Sequence, residues 1–280
     1  SVVCLSFFFS GCGAHRDLHS FPTRRSSGLL NEDLCYTPAV ELTEKIRNKE
    51  LSPIELADAF IERAEAINPK LNAYVTMHPD KTRAWAKEAE EAVQRGDDLG
   101  PLHGLPVSIK DLTHTEGVRS TSGSKVFEDF IPEEDAPIVT RLKGAGAISL
   151  GKTNTPEFGW LAITDNDVFG TTHNPWNLEY TPSGSSGGAA SACAAGLAAI
   201  SMGSDGGGSI RHPASFCGLY GIKSTFGLIP KHPSVEGWPT LSHNGPLTRT
   251  VADAALAMDV LTCYDPAHMS SSPLPPQHSL

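Results

Sequence analysis

The stretch Ser204-Asp205-Gly206-Gly207-Gly208-Ser209-Ile210-Arg211-His212-Pro213 sets three glycines directly before a serine and returns at once to an apolar residue. Glycine lacks Cβ and reaches positive φ, so consecutive N–H groups can turn inward and form an anion-holding concavity. If the serine oxygen attacks a carbonyl, the developing negative charge lies beside those N–H groups, an oxyanion hole made of backbone. A tight turn alone would need one glycine or two. On this reading Ser209 is a nucleophile, and the N–H groups of Gly206, Gly207, Gly208 and Ser209 are its oxyanion donors. Asp205 and Arg211 flank the loop with opposite charges that would brace it. Serine needs a base. His212 is one candidate, although Pro213 follows it and restricts it; Lys110, at the end of the apolar run Leu105-Pro106-Val107-Ser108-Ile109, is the other. A desolvated lysine yields its proton more readily than one in water, although a lysine at a strand end more often reaches water. From the residues alone, both bases stay open.

Two further strings match known motifs and mislead. Gly146-Ala147-Ile148-Ser149-Leu150-Gly151-Lys152-Thr153 fits G-x-x-x-x-G-K-[ST] and suggests a nucleotide-binding protein. A phosphate loop, however, needs a strand before it and a helix after it. Here the middle residues are β-rich, and Thr155 before Pro156 is biased away from helix. The nucleotide reading is therefore disfavoured. Gly184-Ser185-Ser186-Gly187-Gly188 fits the G-x-S-x-G nucleophile elbow, which needs a strand entering the first glycine. Glu179-Tyr180-Thr181-Pro182-Ser183 enters instead as a turn, which argues against an elbow at Ser186. The run leads straight into a packed small-residue segment, so a functional loop is expected rather than a flexible one.

The elements that must position these residues follow from pattern. Pro38 to Asn48 has a loose helical spacing. Ser52 caps a second helix with Pro53 in its first turn and Glu55 completing a capping box; it is expected to run to Ile67 and stop before Pro69. Pro79 to Arg95 makes a third helix, ended by Gly96. Leu105 to Ile109, Ala147 to Leu150 and Ala198 to Met202 read as strands; Ala136 to Lys143, Gly187 to Leu197 and Thr250 to Leu261 read as helices. Strands alternating with helices imply a sheet with helices packed on its faces.

Composition narrows the setting. The chain has 280 residues, 39% hydrophobic and 19% charged, with a formal net charge of −10. That acidity argues against nucleic-acid and anionic membrane surfaces, which reward clustered Lys and Arg. No apolar run approaches ~18 residues, so no transmembrane helix is expected. The six cysteines include no C-x-x-C pair, which indicates neither a zinc site nor a disulfide framework, and a reduced cytoplasmic setting is the default. Val2 to Phe9 is apolar, and Phe9-Ser10-Gly11-Cys12 faintly suggests a lipoprotein cleavage site, but no basic residue precedes the run. Asp17 to Ser27 instead resembles the translation of a sequencing adapter, which would make the front of the chain an assembly artefact of metagenomic origin. Residues 1–29 are accordingly expected to be a non-native or disordered leader before a domain at 30–280.

Taken together, several segments resemble the amidase signature family: Gly104 to Asp111, Gly151 to Gly159, Asn174-Pro175-Trp176-Asn177, Gly184 to Gly188, Ser204 to Pro213 and Gly245 to Thr250. The resemblance implies a mixed twisted β-sheet sandwiched by helices, preceded by an N-terminal helical segment and incomplete at the C-terminus. It also implies amide hydrolysis through a Ser209 acyl-enzyme, with Lys110 as base, Ser185 as proton relay across a cis Gly184–Ser185 bond, and Ser186 as loop support. One departure is Gly206, where the family commonly has threonine. The implied substrate is a small-molecule amide; no metal, organic cofactor, nucleic acid or membrane partner is expected, and a homodimer is admissible. The glutaminase-type component of a tRNA-dependent amidotransferase shares the same machinery; His212-Pro213 and Val235-Glu236-Gly237-Trp238 favour a stand-alone amidase. A catalytically silent fragment is the remaining alternative.

Overall fold

The computed structural model describes residues 28–233, 240–266 and 271. The N-terminal helices are α1 (Gly28–Tyr36), α2 (Ala39–Arg47) and α3 (Pro53–Leu71), followed by β1 (Tyr74–Met77) and α4 (Pro79–Arg95). The central part holds β2 (Pro106–Lys110), α5 (Pro137–Gly144), β3 (Ile148–Thr153), α6 (Gly187–Ala194) and β4 (Ile200–Asp205). Then come α7 (Arg211–Cys217), β5 (Tyr220–Gly221), β6 (His243–Thr248) and α8 (Val251–Leu261). The strands form one mixed six-stranded sheet in the order β1-β3-β2-β4-β6-β5. β2 runs parallel to β3 and β4 at its centre, while β1, β5 and β6 join antiparallel.

Pleating separates structure from chemistry. Val107 and Ile109 on β2, with Ile200 and Met202 on β4, point into the main core beside Leu42, Phe60 and Leu197. Ser108 and Lys110 alternate to the opposite face, where Ser108 donates to Ser201 Oγ at 2.7 Å. There a smaller cluster of Ala189, Ala190, Ile210, Ala214, Cys217 and Leu247 packs α6 and α7 against β6. α6 is built from small residues, and its N-terminus comes very close to the sheet: a Cβ on Gly188 would lie 2.4 Å from the backbone N of Asn154.

The helix ends follow the expected signals with two corrections, the first being that α6 stops at Ala194 rather than Leu197. Ser52 Oγ accepts from the N–H groups of Ile54 at 3.1 Å and Glu55 at 3.4 Å, and Gly96 ends α4 at φ +76°. α3, however, continues through Pro69 to Leu71. The Asn68 side chain binds the chain just beyond the helix, accepting from Ala73 and Tyr74 N and donating to Tyr74 O. These local side-chain ties hold the last turn despite the missing proline N–H. β1 and β6 were not legible as strands. Among the described residues no helix is long and apolar enough to cross a membrane.

Candidate active site

β2 delivers Lys110 to the end of the sheet, and the turn before α6 brings hydroxyls to meet it. Lys110 is fully buried, and its Nζ lies within hydrogen-bonding distance of Ser185 Oγ at 2.7 Å, Ser186 Oγ at 2.9 Å and Ser204 Oγ at 3.1 Å. The Gly184–Ser185 peptide is cis. Glycine is required at 184, since a Cβ there would lie 2.8 Å from backbone atoms of Leu161 and Ile163. Ser186 is enclosed: its Oγ donates to Ser204 O and accepts from Ser204 N, both at 3.2 Å. It braces the lysine pocket, and its burial removes it as an elbow nucleophile. Ser204 is a hydroxyl the sequence reading passed over. Its only signal was its place at the end of β4, one residue before the glycine-rich loop.

That loop is organised by Asp205, the buried last residue of β4. Its carboxylate accepts from Gly208 N at 2.7 Å, Ile210 N at 3.2 Å and Arg211 N at 3.3 Å, and from Arg211 Nε at 2.9 Å and Nη2 at 3.0 Å. Burial acts to raise the Asp205 carboxyl, but the hydrogen bonds from Arg211, Gly208 and Ile210 outweigh it and hold it below the usual range. Opposite charges thus flank the loop in contact. Of the four N–H groups expected to hold an oxyanion, that of Gly208 donates to Asp205. The requirement for three glycines also weakens. Gly208 sits at φ +124° and a Cβ would strike the His212 ring at 2.4 Å, whereas a Cβ on Gly206 or Gly207 meets nothing within 4 Å.

Ser185, Ser204, Gly206, Gly207 and Ser209 share one cavity of about 310 Å³ with Phe158, Trp160, Leu161, Ala162, His212, Leu241 and Ser242. Ser209 is half-buried at its edge and accepts from Ser186 N through its backbone oxygen at 3.2 Å. The structure therefore brings together Lys110, Ser185, Ser186 and Ser204 by direct contact, and Ser209 with the glycine N–H groups around the same space. Aromatic and aliphatic walls were not read from the sequence, because Phe158 and Trp160 lie far from Ser209 in the chain. Val235 to Trp238 lie outside the described residues.

The nucleotide string is strand. Ile148–Thr153 is β3, buried throughout and paired to β1 and β2, so its backbone cannot converge on phosphate. Lys152 Nζ instead donates to Thr113 O, to Thr115 Oγ1 at 3.1 Å and to Ser120 Oγ at 2.8 Å. Burial depresses Lys152 to about 8, against the opposing pull of Asp111. Burial also raises the Asp111 carboxyl, which Lys152 and the bonds from Thr121 counter. Among the described residues no group of three or more His, Cys, Asp or Glu is placed to hold a metal ion.

Comparison with known proteins adds relatives to this geometry. The family model described as Amidase matches residues 55–280. The A component of the glutamyl-tRNA(Gln) amidotransferase of Carboxydothermus hydrogenoformans is 47% identical over 240 residues, covering 86% of this chain and 50% of its own length. An acylamidase of Rhodococcus erythropolis is 44% identical over 239 residues, covering 85% and 50%. The crystal structure of a bacterial aryl acylamidase of the amidase signature family superposes with a TM-score of 0.81 at 36% identity, covering 85% of this chain and 50% of that one. The chain thus spans about half the length of the relatives it matches.

Proposed function

Since this chain belongs to the amidase family, we propose that it carries the nucleophilic half-site of an amide hydrolase acting on small-molecule amides. Ser209 Oγ attacks the amide carbonyl carbon. Its proton passes to Ser185 Oγ, and the Ser185 proton passes to Lys110 Nζ, which takes part as the free amine. The tetrahedral oxyanion is held by the N–H groups of Gly206, Gly207 and Ser209. When the C–N bond breaks, Ser185 gives its proton to the leaving nitrogen and recovers one from Lys110, because an amide anion is a very poor leaving group. Water then attacks the acyl-enzyme by the same relay and releases the acid and Ser209.

The observation that supports this reading most is the 2.7 Å contact from Lys110 Nζ to Ser185 Oγ, beside a cavity that Ser209 also lines. Ser209→Ala and Lys110→Ala, made in the enzyme that carries this chain, each lower kcat on an amide panel by about 10³-fold or more. A fluorophosphonate probe labels Ser209. Near-normal turnover of Ser209→Ala, or labelling at Ser186 instead, would reject the assignment. The likeness to the A component of an amidotransferase supports a second reading, glutaminase activity within a larger assembly. Glutamine-dependent ammonia release that requires a partner protein would select it over hydrolysis of neutral acyl amides.

A further inference from the structure

The catalytic reading leaves several buried charged groups unused, among them the lysine of the misleading nucleotide string. The β2–β3 register pairs Lys152 with Ile109, one residue before Lys110, so the pleat sends the two lysines to opposite faces of the sheet. Lys110 faces the hydroxyls of the site. Lys152 faces the loop that leaves β2, and its ammonium reaches Thr113 O, Thr115 Oγ1 and Ser120 Oγ, gathering both arms of that loop. Asp111, next to Lys110 and equally buried, closes the same loop from the other side. Its Oδ2 accepts from Thr121 N at 3.0 Å and Thr121 Oγ1 at 2.6 Å, and its carbonyl accepts from Ser122 N at 3.2 Å.

The loop then carries the site. Ser122 O accepts from Phe158 N at 2.8 Å, and Ser124 Oγ donates to Glu157 Oε1 at 2.7 Å. Gly123 packs so tightly on this segment that a Cβ would lie 2.6 Å from Thr155 O. Phe158 holds φ +51° and Gly159 φ +75°, and both line the cavity. A Cβ on Gly159 would lie 3.2 Å from Ser185 Oγ. Hydrogen bonds therefore run from Asp111 through Thr121 and Ser122 to the cavity wall beside the relay serine, and Lys152 joins the same loop at Ser120, the chain neighbour of Thr121.

We infer that Lys152, Asp111 and Thr121 are positioning residues that fix the Phe158–Gly159 wall against Ser185 and so set which acyl groups the cavity accepts. The inference rests on the amidase reading of the site. Apolar replacement of buried charges is often neutral or stabilising, so a charged network here does its work in geometry rather than in net stability. Opposite charges across one loop, each bonded to it, admit one loop conformation where an apolar contact would admit several.

The test compares Thr121→Val, Thr121→Ser and Lys152→Met with the parent enzyme on two anilides, one with an acetyl group and one with a bulky aromatic acyl group. Thr121→Val is nearly isosteric and removes only the hydroxyl, so it keeps the test open if Lys152→Met does not fold. In Thr121→Val the kcat/KM for the acetyl substrate falls about tenfold, and the bulky-to-acetyl ratio rises at least about fivefold as the wall relaxes. Lys152→Met moves the ratio the same way. Thr121→Ser keeps the hydroxyl and stays within about twofold of the parent. Loss of folded enzyme lowers both substrates equally and leaves the ratio alone, so an unchanged ratio in Thr121→Val overturns the inference. Fluorophosphonate labelling of Ser209 in the parent separates the two failures. If labelling is absent, the catalytic reading falls and this inference with it; if it is present with a fixed ratio, only the positioning role falls.

Discussion

Of the three glycines before Ser209, the structure makes one obligatory. Gly208 combines φ +124° with a Cβ position 2.4 Å from the His212 ring, and its N–H is the donor that ties the loop to Asp205. Gly208→Ala is therefore expected to cost about 1–3 kcal/mol in urea unfolding and to depress turnover strongly, since strain and a ring displacement both fall on the loop that carries Ser209. Gly206 is exposed, outside the left-handed region, with open space where a side chain would go. Gly206→Thr is expected to leave turnover within about twofold and to stabilise by up to about 1 kcal/mol, because it restricts the unfolded chain. The two variants measured side by side separate backbone need from composition. The sequence shows three equivalent glycines; only the folded loop distinguishes them.

Local chemistry explains most element boundaries, and tertiary pairing explains β6. α3 starts where the sequence says it should, because Ser52 caps it, and the Ser52 hydroxyl also donates to Glu90 on α4. Ser52→Ala is expected to destabilise by about 1–2 kcal/mol in urea unfolding with an unchanged m-value, since a cap and one helix–helix tie are lost together. A loss below a few tenths would show that the cap contributes little. By contrast β6 contains Asn244, Gly245 and Pro246, which read as a turn. It is a strand because β4 offers an antiparallel edge over Ser201 to Asp205, with β5 only two residues long on its other side. α3 outlasts Pro69 for a local reason, since the Asn68 side chain binds Ala73 and Tyr74 only five and six residues further on.

At the scale of the whole molecule, acid stability depends on groups far from the site. His78 packs against Trp85, bonds to Ser149 O at 3.1 Å through Nε2, and is pushed down by burial from 6.5 to about 4. The unfolded chain binds a proton there below pH 6.5 while the native chain does not, so this contribution is full above 6.5 and is lost as pH falls toward 4. At ~1.4 kcal/mol per pH unit the loss is at most about 3 kcal/mol. The unfolding free energy of His78→Gln should fall less between about pH 7 and 4.5 than that of the parent; equal slopes would refute the assignment. What the sequence determined by itself was local: helix starts, small-residue packing at α6, a glycine-rich loop beside a serine, and a lysine ending an apolar strand. These depend on backbone freedom, capping and pleating within a few residues. What only the tertiary structure decided was convergence: which hydroxyls meet Lys110, that the Gly208 N–H is bonded to Asp205, and that Lys152 lies in a buried strand bonded to Thr113, Thr115 and Ser120. Those outcomes depend on strand order and register, which bring residues 110, 185 and 204 together and turn residue 152 to the other face, across sequence distances that no local pattern encodes.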